Sequence, residues 1–151
     1  MAQFFSLELG SGLANARTYP TPGVGLGGRT THWARAQFTM STALTTADVL
    51  DLFDLPPRAR VVDGFVKSAD LDSNGAPTFA FNVGITGTAA LFFSAANAPQ
   101  AGTVNRLTLA TGTDYVTTAR TRVKLVPSAN AATFAAGDVV VMLAYIVEEP
   151  A

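Results

Sequence analysis

Short segments of alternating or continuous apolar residues predict β-strands over most of the chain after residue 32. In the segment Thr78–Gly84, every second position is a large apolar residue, which is typical of a strand with one buried face. Valine dominates the run Asp138–Val147, which predicts a central strand covered on both faces. Further strands are predicted at Trp33–Met40, Arg60–Lys67 (with a bulge near Gly64), Val104–Ala110, Tyr115–Thr118 and Thr121–Val126, and Leu91–Phe93 fits a strand or a helical turn.

The segment between Thr45 and Pro56 is the one part of this pattern that favours a helix. Thr45 can cap its first turn, with Asp48 in the position of a capping box. Pro56 and Pro57 end it. Its apolar stripe is Val49, Leu50 and Phe53, and its solvated side is Asp48, Asp51 and Asp54.

Glycine-centred turn signals separate the predicted strands at regular intervals. They recur at Gly75, Gly87, Gly102, Gly112 and Gly137. This spacing is typical of sandwiches and jelly rolls. The sequence therefore predicts an all-β fold with a minor helix, namely an antiparallel β-sandwich or jelly-roll-like domain with an extended N-terminal arm.

The N-terminal arm is defined here as residues 1–32, and the β-sandwich domain is predicted over residues 33–151. After Leu9 the arm has no helical or strand period, and residues 20–28 are rich in Gly and Pro. Ordering such a segment costs roughly 1–2 kcal/mol per residue, so we expect it to bury a large apolar area against a partner or its own domain. Aromatic residues dominate interface energetics. The predicted partner-binding residues are Phe4, Phe5, Leu7, Leu9, Tyr19 and Trp33, although for Trp33 core packing is the favoured explanation.

The composition excludes several classes of partner. Charged residues make up only 14% of the chain, the net charge is −1, and no basic stripe marks a nucleic-acid surface. The densest basic cluster, Arg120, Arg122 and Lys124, alternates along a predicted strand and is interpreted as one solvated face. No segment approaches the ~18 apolar residues of a membrane span. We therefore expect neither a nucleic-acid nor a membrane partner, and the absence of cysteine excludes disulfides.

One acidic segment matches the first half of a calcium-binding loop. Asp70, Asp72 and Asn74 supply oxygens at positions one, three and five, and Gly75 occupies position six. Position twelve should be a bidentate Glu but is Phe81. The favoured interpretation is a hairpin turn at residues 73–75 whose side chains bond their own backbone. A weak cation site at Asp70, Asp72 and Asn74 is the alternative, and no cofactor is expected.

Catalytic motifs are weak. A G-x-G-x-x-G pattern spans Gly23–Gly28, but Tyr-Pro-Thr-Pro precedes it in place of a strand, and no helical pattern follows it. The single histidine, His32, lies at the junction of arm and domain, where a structural or exposed role is favoured over a place in a Ser-His-Asp triad. The sequence therefore predicts no enzymatic activity.

A series of turn-and-strand motifs runs through the chain from Leu52 onward. They are Asp54–Val62, Phe65–Lys67, Asp70–Asp72, Phe81–Gly84, and Thr133 followed by Gly137-Asp138 and a hydrophobic final strand. In these motifs the chain resembles a group of small β-sandwich proteins encoded among the structural genes of tailed bacteriophages. The arm is not part of that resemblance.

The resemblance implies a non-enzymatic virion protein on the capsid surface, either a capsid decoration (cement) protein or another head-associated protein. Its expected partners are the major capsid protein and further copies of itself, with a trimer favoured. The alternative is a glycan- or receptor-binding module of the virion, including its tail. Such a module would use exposed aromatic side chains, for which the candidates are Trp33, Tyr115 and Tyr145.

Overall fold

The computed structural model describes residues 30–108 and 110–148, which form two four-stranded antiparallel sheets. The strands are β1 His32–Met40, β2 Leu50–Leu55, β3 Ala59–Ser68, β4 Ala80–Ile85, β5 Thr88–Ala96, β6 Val104–Arg106, β7 Thr121–Ala129 and β8 Gly137–Val147, with a short 3-10 turn at Ala98–Gln100. The first sheet has the order β1-β8-β3-β6 and the second the order β2-β7-β4-β5. No helix in the described ranges is long and apolar enough to cross a membrane.

The core lies between the two sheets, as expected of a β-sandwich. Phe79, Phe81 and Phe92 are fully buried in it, and the rings of Phe79 and Phe81 meet edge to face at 5.9 Å. Alternate residues of β3 and β7 point into this core, which is the period of two that a half-buried strand requires. The predicted β-sandwich is therefore confirmed. The division of the chain at residue 32 stays a prediction.

Strand β8 lies at the centre of the first sheet, between β1 and β3. Val139, Val141 and Leu143 are buried on its inner face. On its outer face, Val140 and Met142 are only partly covered. The central position is confirmed, but the expected burial on both faces is wrong for the described residues, because the second sheet covers only one side.

The predicted helix before Pro56 is wrong. Its capping bonds do form: the Asp48 carboxylate accepts the backbone N–H of Thr45 at 2.7 Å, and Asp48 N–H donates to the Thr45 carbonyl at 3.0 Å. They close a turn, after which the chain becomes strand β2. Less than three turns of helix are unstable alone, and pairing along β7 bonds the backbone of Leu50–Leu55 instead.

The predicted hairpin at residues 73–75 is also wrong. Strand β3 pairs with β8 and β6, whereas β4 pairs with β5 and β7, so the segment between β3 and β4 crosses from one sheet to the other. Two smaller differences concern bulges and length. The β3–β8 register shifts between Val61 and Asp63, two residues before the expected site at Gly64, and β6 has only three residues.

Candidate assembly surface

The outer face of the first sheet is a broad surface with an apolar centre. The register aligns Arg35, Met142, Phe65 and Arg106 in one row across the four strands, and Gln37, Val140, Lys67 and Val104 in the next. Trp33 lies beside them on β1. We call this surface the outer face and define it by Trp33, Arg35, Gln37, Phe65, Lys67, Val104, Arg106, Val140 and Met142.

Two large apolar side chains of the outer face are strongly exposed. Trp33 and Val104 are each 50% exposed, on opposite edge strands of the sheet. Partly covered Phe65, Val140 and Met142 lie between them. Arg35, Gln37 and Arg106 border this centre on the edge strands, and Lys67 lies within the second row, between Val140 and Val104. The face therefore combines exposed apolar side chains with basic ones, and both kinds occur in protein interfaces.

Part of the border of the outer face is fixed by hydrogen bonds. Arg106 Nη2 donates to Asp63 Oδ2 at 2.8 Å, which holds β6 against β3. Thr39 Oγ1 donates to Asp138 Oδ1 at 2.5 Å across the pair β1–β8. Both bonds join neighbouring strands at the border of the outer face, and both are exposed to solvent.

The second sheet carries a charge cluster that joins β2 to β7. A register shift between Asp51 and Phe53 places Asp51 opposite Lys124 and Asp54 opposite Arg122. Arg122 Nη1 donates to Asp51 Oδ2 at 3.0 Å, and Arg120 Nε donates to Asp54 Oδ2 at 2.7 Å. The acidic and basic runs, which the sequence analysis placed on two separate solvated faces, therefore neutralise each other.

The electrostatics of this cluster centre on Asp54. Hydrogen bonds from Arg122, opposed by burial and reinforced by Arg120, lower the pKa of Asp54 to about 2. The same contact with Asp54 raises the pKa of Arg122. Because these charges are paired within the chain, we assign the cluster to the stability of the strand pair β2–β7.

The proposed cation loop is organised around a buried carboxylate. Asp72 is 1% exposed, and its Oδ2 accepts the backbone N–H groups of Thr78, Phe79 and Ala132 at 2.8, 3.0 and 2.9 Å. Its Oδ1 accepts Thr133 N–H at 2.8 Å. Burial by itself raises the pKa of Asp72, but these four donors outweigh it and hold the pKa well below its ordinary value.

The other two oxygens of that loop also bond the backbone. Asp70 Oδ1 accepts Asp72 N–H at 3.1 Å, and Asn74 Oδ1 accepts Ala76 N–H at 2.9 Å. Both are the short-range side-chain turns of Asp and Asn that the favoured interpretation expected. No group of three or more His, Cys, Asp or Glu side chains in the described part of the chain is arranged to hold a metal ion.

The predicted partner-binding residues divide between described and undescribed segments. Trp33 is half exposed on β1, so core packing does not explain it. The remaining predicted residues, Phe4, Phe5, Leu7, Leu9 and Tyr19, lie outside the described residues, as does the glycine motif Gly23–Gly28.

The aromatic residues considered for glycan binding do not form one surface. Tyr115 packs edge to face on Phe92, with ring centroids 5.9 Å apart. Tyr145 stacks on His32 at 5.5 Å. Because Tyr145 is paired with His32 and the next residue of β1 is Trp33, Tyr145 and Trp33 point to opposite faces of the sheet.

The sequence analysis missed most of the outer face. Its signal was present in β3 and β8, where neighbouring residues such as Phe65 and Val66 are both apolar and therefore point to opposite faces. In Asp138–Val147 this pattern predicts burial on both faces, and in Arg60–Lys67 it predicts a bulge. Among the described residues it marks one buried face and one partly exposed apolar face.

Comparison with solved structures places this fold among phage proteins. A chain in the capsid asymmetric unit of cyanophage Pam1 is 34% identical, with a TM-score of 0.71, over 89% of this chain and 95% of that chain. The chain belongs to the structural proteins of bacteriophage virions. The resemblance to virion structural proteins that the turn-and-strand motifs indicated is therefore confirmed.

Two further phage capsid structures contain chains with the fold of this virion protein. A chain in the capsid of Ralstonia phage GP4 is 27% identical, with a TM-score of 0.69, over 81% of the virion protein and 86% of that chain. A chain in the acid-stable capsid of Helicobacter pylori bacteriophage KHP30 shares the fold, at 18% identity and a TM-score of 0.60, over 79% of the virion protein and 89% of that chain. Neither a protein-family model nor a curated protein sequence matches the chain significantly.

Proposed function

We propose that this virion protein is a capsid decoration (cement) protein without enzymatic activity, which binds the outer surface of the phage head and braces neighbouring subunits of the major capsid protein. The supporting observation is the outer face, where Trp33 and Val104 expose half of their surface around an apolar centre. The likeness to chains of phage capsids provides the setting in which such a face would find its partner.

Repetition on the lattice would strengthen a modest contact. A homo-oligomer, with a trimer favoured, presents the outer face several times, and each further contact forms at the effective concentration set by the first. The arm would add a second contact, between neighbouring subunits, through Phe4, Phe5, Leu7 and Leu9. Occupancy of the head would therefore depend on both the outer face and the arm.

Replacing Trp33 with Ala is expected to weaken binding to capsids assembled without this protein by about 30-fold, because a Trp that anchors an interface is worth on the order of 2 kcal/mol. Co-sedimentation of the purified variant with such capsids measures the change. Circular dichroism should show an unchanged fold, since Trp33 is half exposed.

A matched pair of valines tests whether the effect belongs to the outer face. Val104 lies on that face with 50% exposure, and Val49 lies before β2 with 55% exposure. Val104→Ala is expected to weaken capsid binding about threefold to tenfold, and Val49→Ala to leave it unchanged. Equal effects of the two substitutions, or full binding by Trp33→Ala, would contradict the proposed function of the outer face.

A further inference from the structure

The four edge strands of the sandwich differ in their ability to accept another strand. Strand β6 has only three residues, and β5 carries a bulge at which Ala95 adopts a positive φ of 47°. Strand β2 is interrupted by a register shift between Asp51 and Phe53. Short length and bulges are the devices by which natural sheets prevent pairing at an edge.

Strand β1 has none of these devices. It is nine residues long, and its register with β8 runs without a shift from the pair His32–Tyr145 to the pair Met40–Gly137. Within the described residues β8 is the only strand hydrogen-bonded to β1, so the other edge of β1 carries backbone donors and acceptors available to a further strand.

A groove runs beside this open edge, between β1 and β2. Its volume is ≈ 570 Å³, and its lining combines apolar Ala36, Phe38, Leu50 and Leu52 with polar Thr39 and Asp51. Arg35 and Gln37 also line it and belong to the outer face. A strand added to β1 would therefore place one set of alternate side chains against the apolar part of the groove and the other set towards Arg35.

We propose that the edge of β1 accepts residues 4–9 from the arm of a second copy, as an added strand of the first sheet. The sequence Phe-Phe-Ser-Leu-Glu-Leu has the matching alternation, since Phe5, Leu7 and Leu9 fall on one side of an extended strand. Glu8 falls on the other side, where it would meet Arg35. Main-chain bonds supply affinity and the alternate side chains supply specificity in this mode of recognition.

The length of the connecting segment favours a second copy over the same chain. Twenty residues, 10–29, separate Leu9 from the first described residue, Thr30. A strand that folds back on its own neighbour usually needs a loop of about 2–5 residues. Twenty residues can span up to roughly 65 Å when extended, which suits a connection between molecules. This inference goes beyond the proposed function, because it concerns contacts between copies and does not require a capsid.

Photocrosslinking with isotope-labelled chains tests the inference on the full-length protein. Phe5 is replaced by p-benzoylphenylalanine in an unlabelled chain, which is refolded together with an excess of ¹⁵N-labelled wild-type chain and irradiated. Mass spectrometry then maps each crosslinked peptide and shows whether it is labelled. A second probe chain carries p-benzoylphenylalanine at Tyr19, within the connecting segment, as the control.

The Phe5 probe is expected to crosslink mainly to β1 or the groove wall of β2 on a labelled chain, and this pattern is expected to be lost with the Tyr19 probe. Crosslinks within the unlabelled probe chain would overturn the second copy as the source. Crosslinks to other strands, or none in a mixture with a wild-type circular dichroism spectrum, would overturn β1 as the acceptor. Because no capsid is present in this experiment, neither contradictory result bears on the proposed binding to the capsid lattice, which co-sedimentation tests.

Discussion

Replacing Asp72 with Asn is expected to lower the melting temperature by at least about 5 °C, because the substitution leaves a buried backbone donor without an acceptor. The Asp72 carboxylate accepts four backbone N–H groups. An Asn side chain has one oxygen, and its NH₂ group is itself a donor. At least one of the four N–H groups would therefore lose its partner in a site that is 1% exposed.

Asp72 also makes stability depend on pH. Its pKa in the folded protein is lower than in the unfolded chain, so its ionised form contributes its full stabilisation above about pH 4, and this contribution is lost as the pH falls further. The difference in melting temperature between the wild type and Asp72→Asn is expected to be constant near neutral pH and to narrow below about pH 4.

Asp70→Asn is the matched control for this substitution. Asp70 is exposed and accepts one bond, from Asp72 N–H, which an Asn oxygen can also accept. The melting temperature of the Asp70→Asn protein is expected to stay within about 2 °C of that of the wild type. Calorimetry across the pH range measures all three proteins. Equal melting temperatures for Asp72→Asn and Asp70→Asn, or a difference that does not change with pH, would contradict the role assigned to Asp72.

Deleting residues 2–30 is expected to leave a folded sandwich but to weaken oligomerisation and capsid binding by at least about a hundredfold. The large buried side chains between the sheets belong to residues 40–143, so the deletion removes none of them. It does remove Phe4 and Phe5, and an aromatic anchor in an interface is worth on the order of 2 kcal/mol. Sedimentation velocity and capsid co-sedimentation measure the two losses.

Substitutions within the arm locate the effect. Phe4→Ala with Phe5→Ala in the full chain is expected to reproduce most of the loss, because these side chains are the predicted anchor. Leu13→Ala, in the segment without strand or helix period, is expected to bind as the wild type. Full-strength oligomerisation and binding after deletion of residues 2–30 would show that the arm is not an assembly element.

The strands were predictable where a period of two or a Val-rich run reached across a whole element. Strands β1, β4 and β8 follow this rule within two residues of their ends. The structure of the segment after Thr45 was not predictable from its capping residues. The same residues with the same hydrogen bonds can begin a helix or close a turn that leads into a strand. Pairing with β7, which depends on residues about 70 positions away, decides between the two.

The candidate site was only partly predictable for a similar reason. An apolar residue on the second face of a strand has the same sequence pattern whether a further layer covers it or a partner does, so Phe65 and Val140 did not reveal the outer face. The role of Asp72 depends on Thr78 and Ala132 meeting across the crossover between sheets. No local motif encodes that meeting, although the resemblance to virion proteins was visible in the turns around it.

Cryo-electron microscopy of phage heads reconstituted with this protein tests the central claim most directly. Heads assembled without the protein are saturated with purified wild-type chain, and the bound density is located by icosahedral reconstruction. The account predicts ordered density at symmetry-related positions on the outside of the shell, with Trp33 and Val104 directed towards the major capsid protein. Absence of saturable density on the shell, or contact through the second sheet with Trp33 facing solvent, would contradict it.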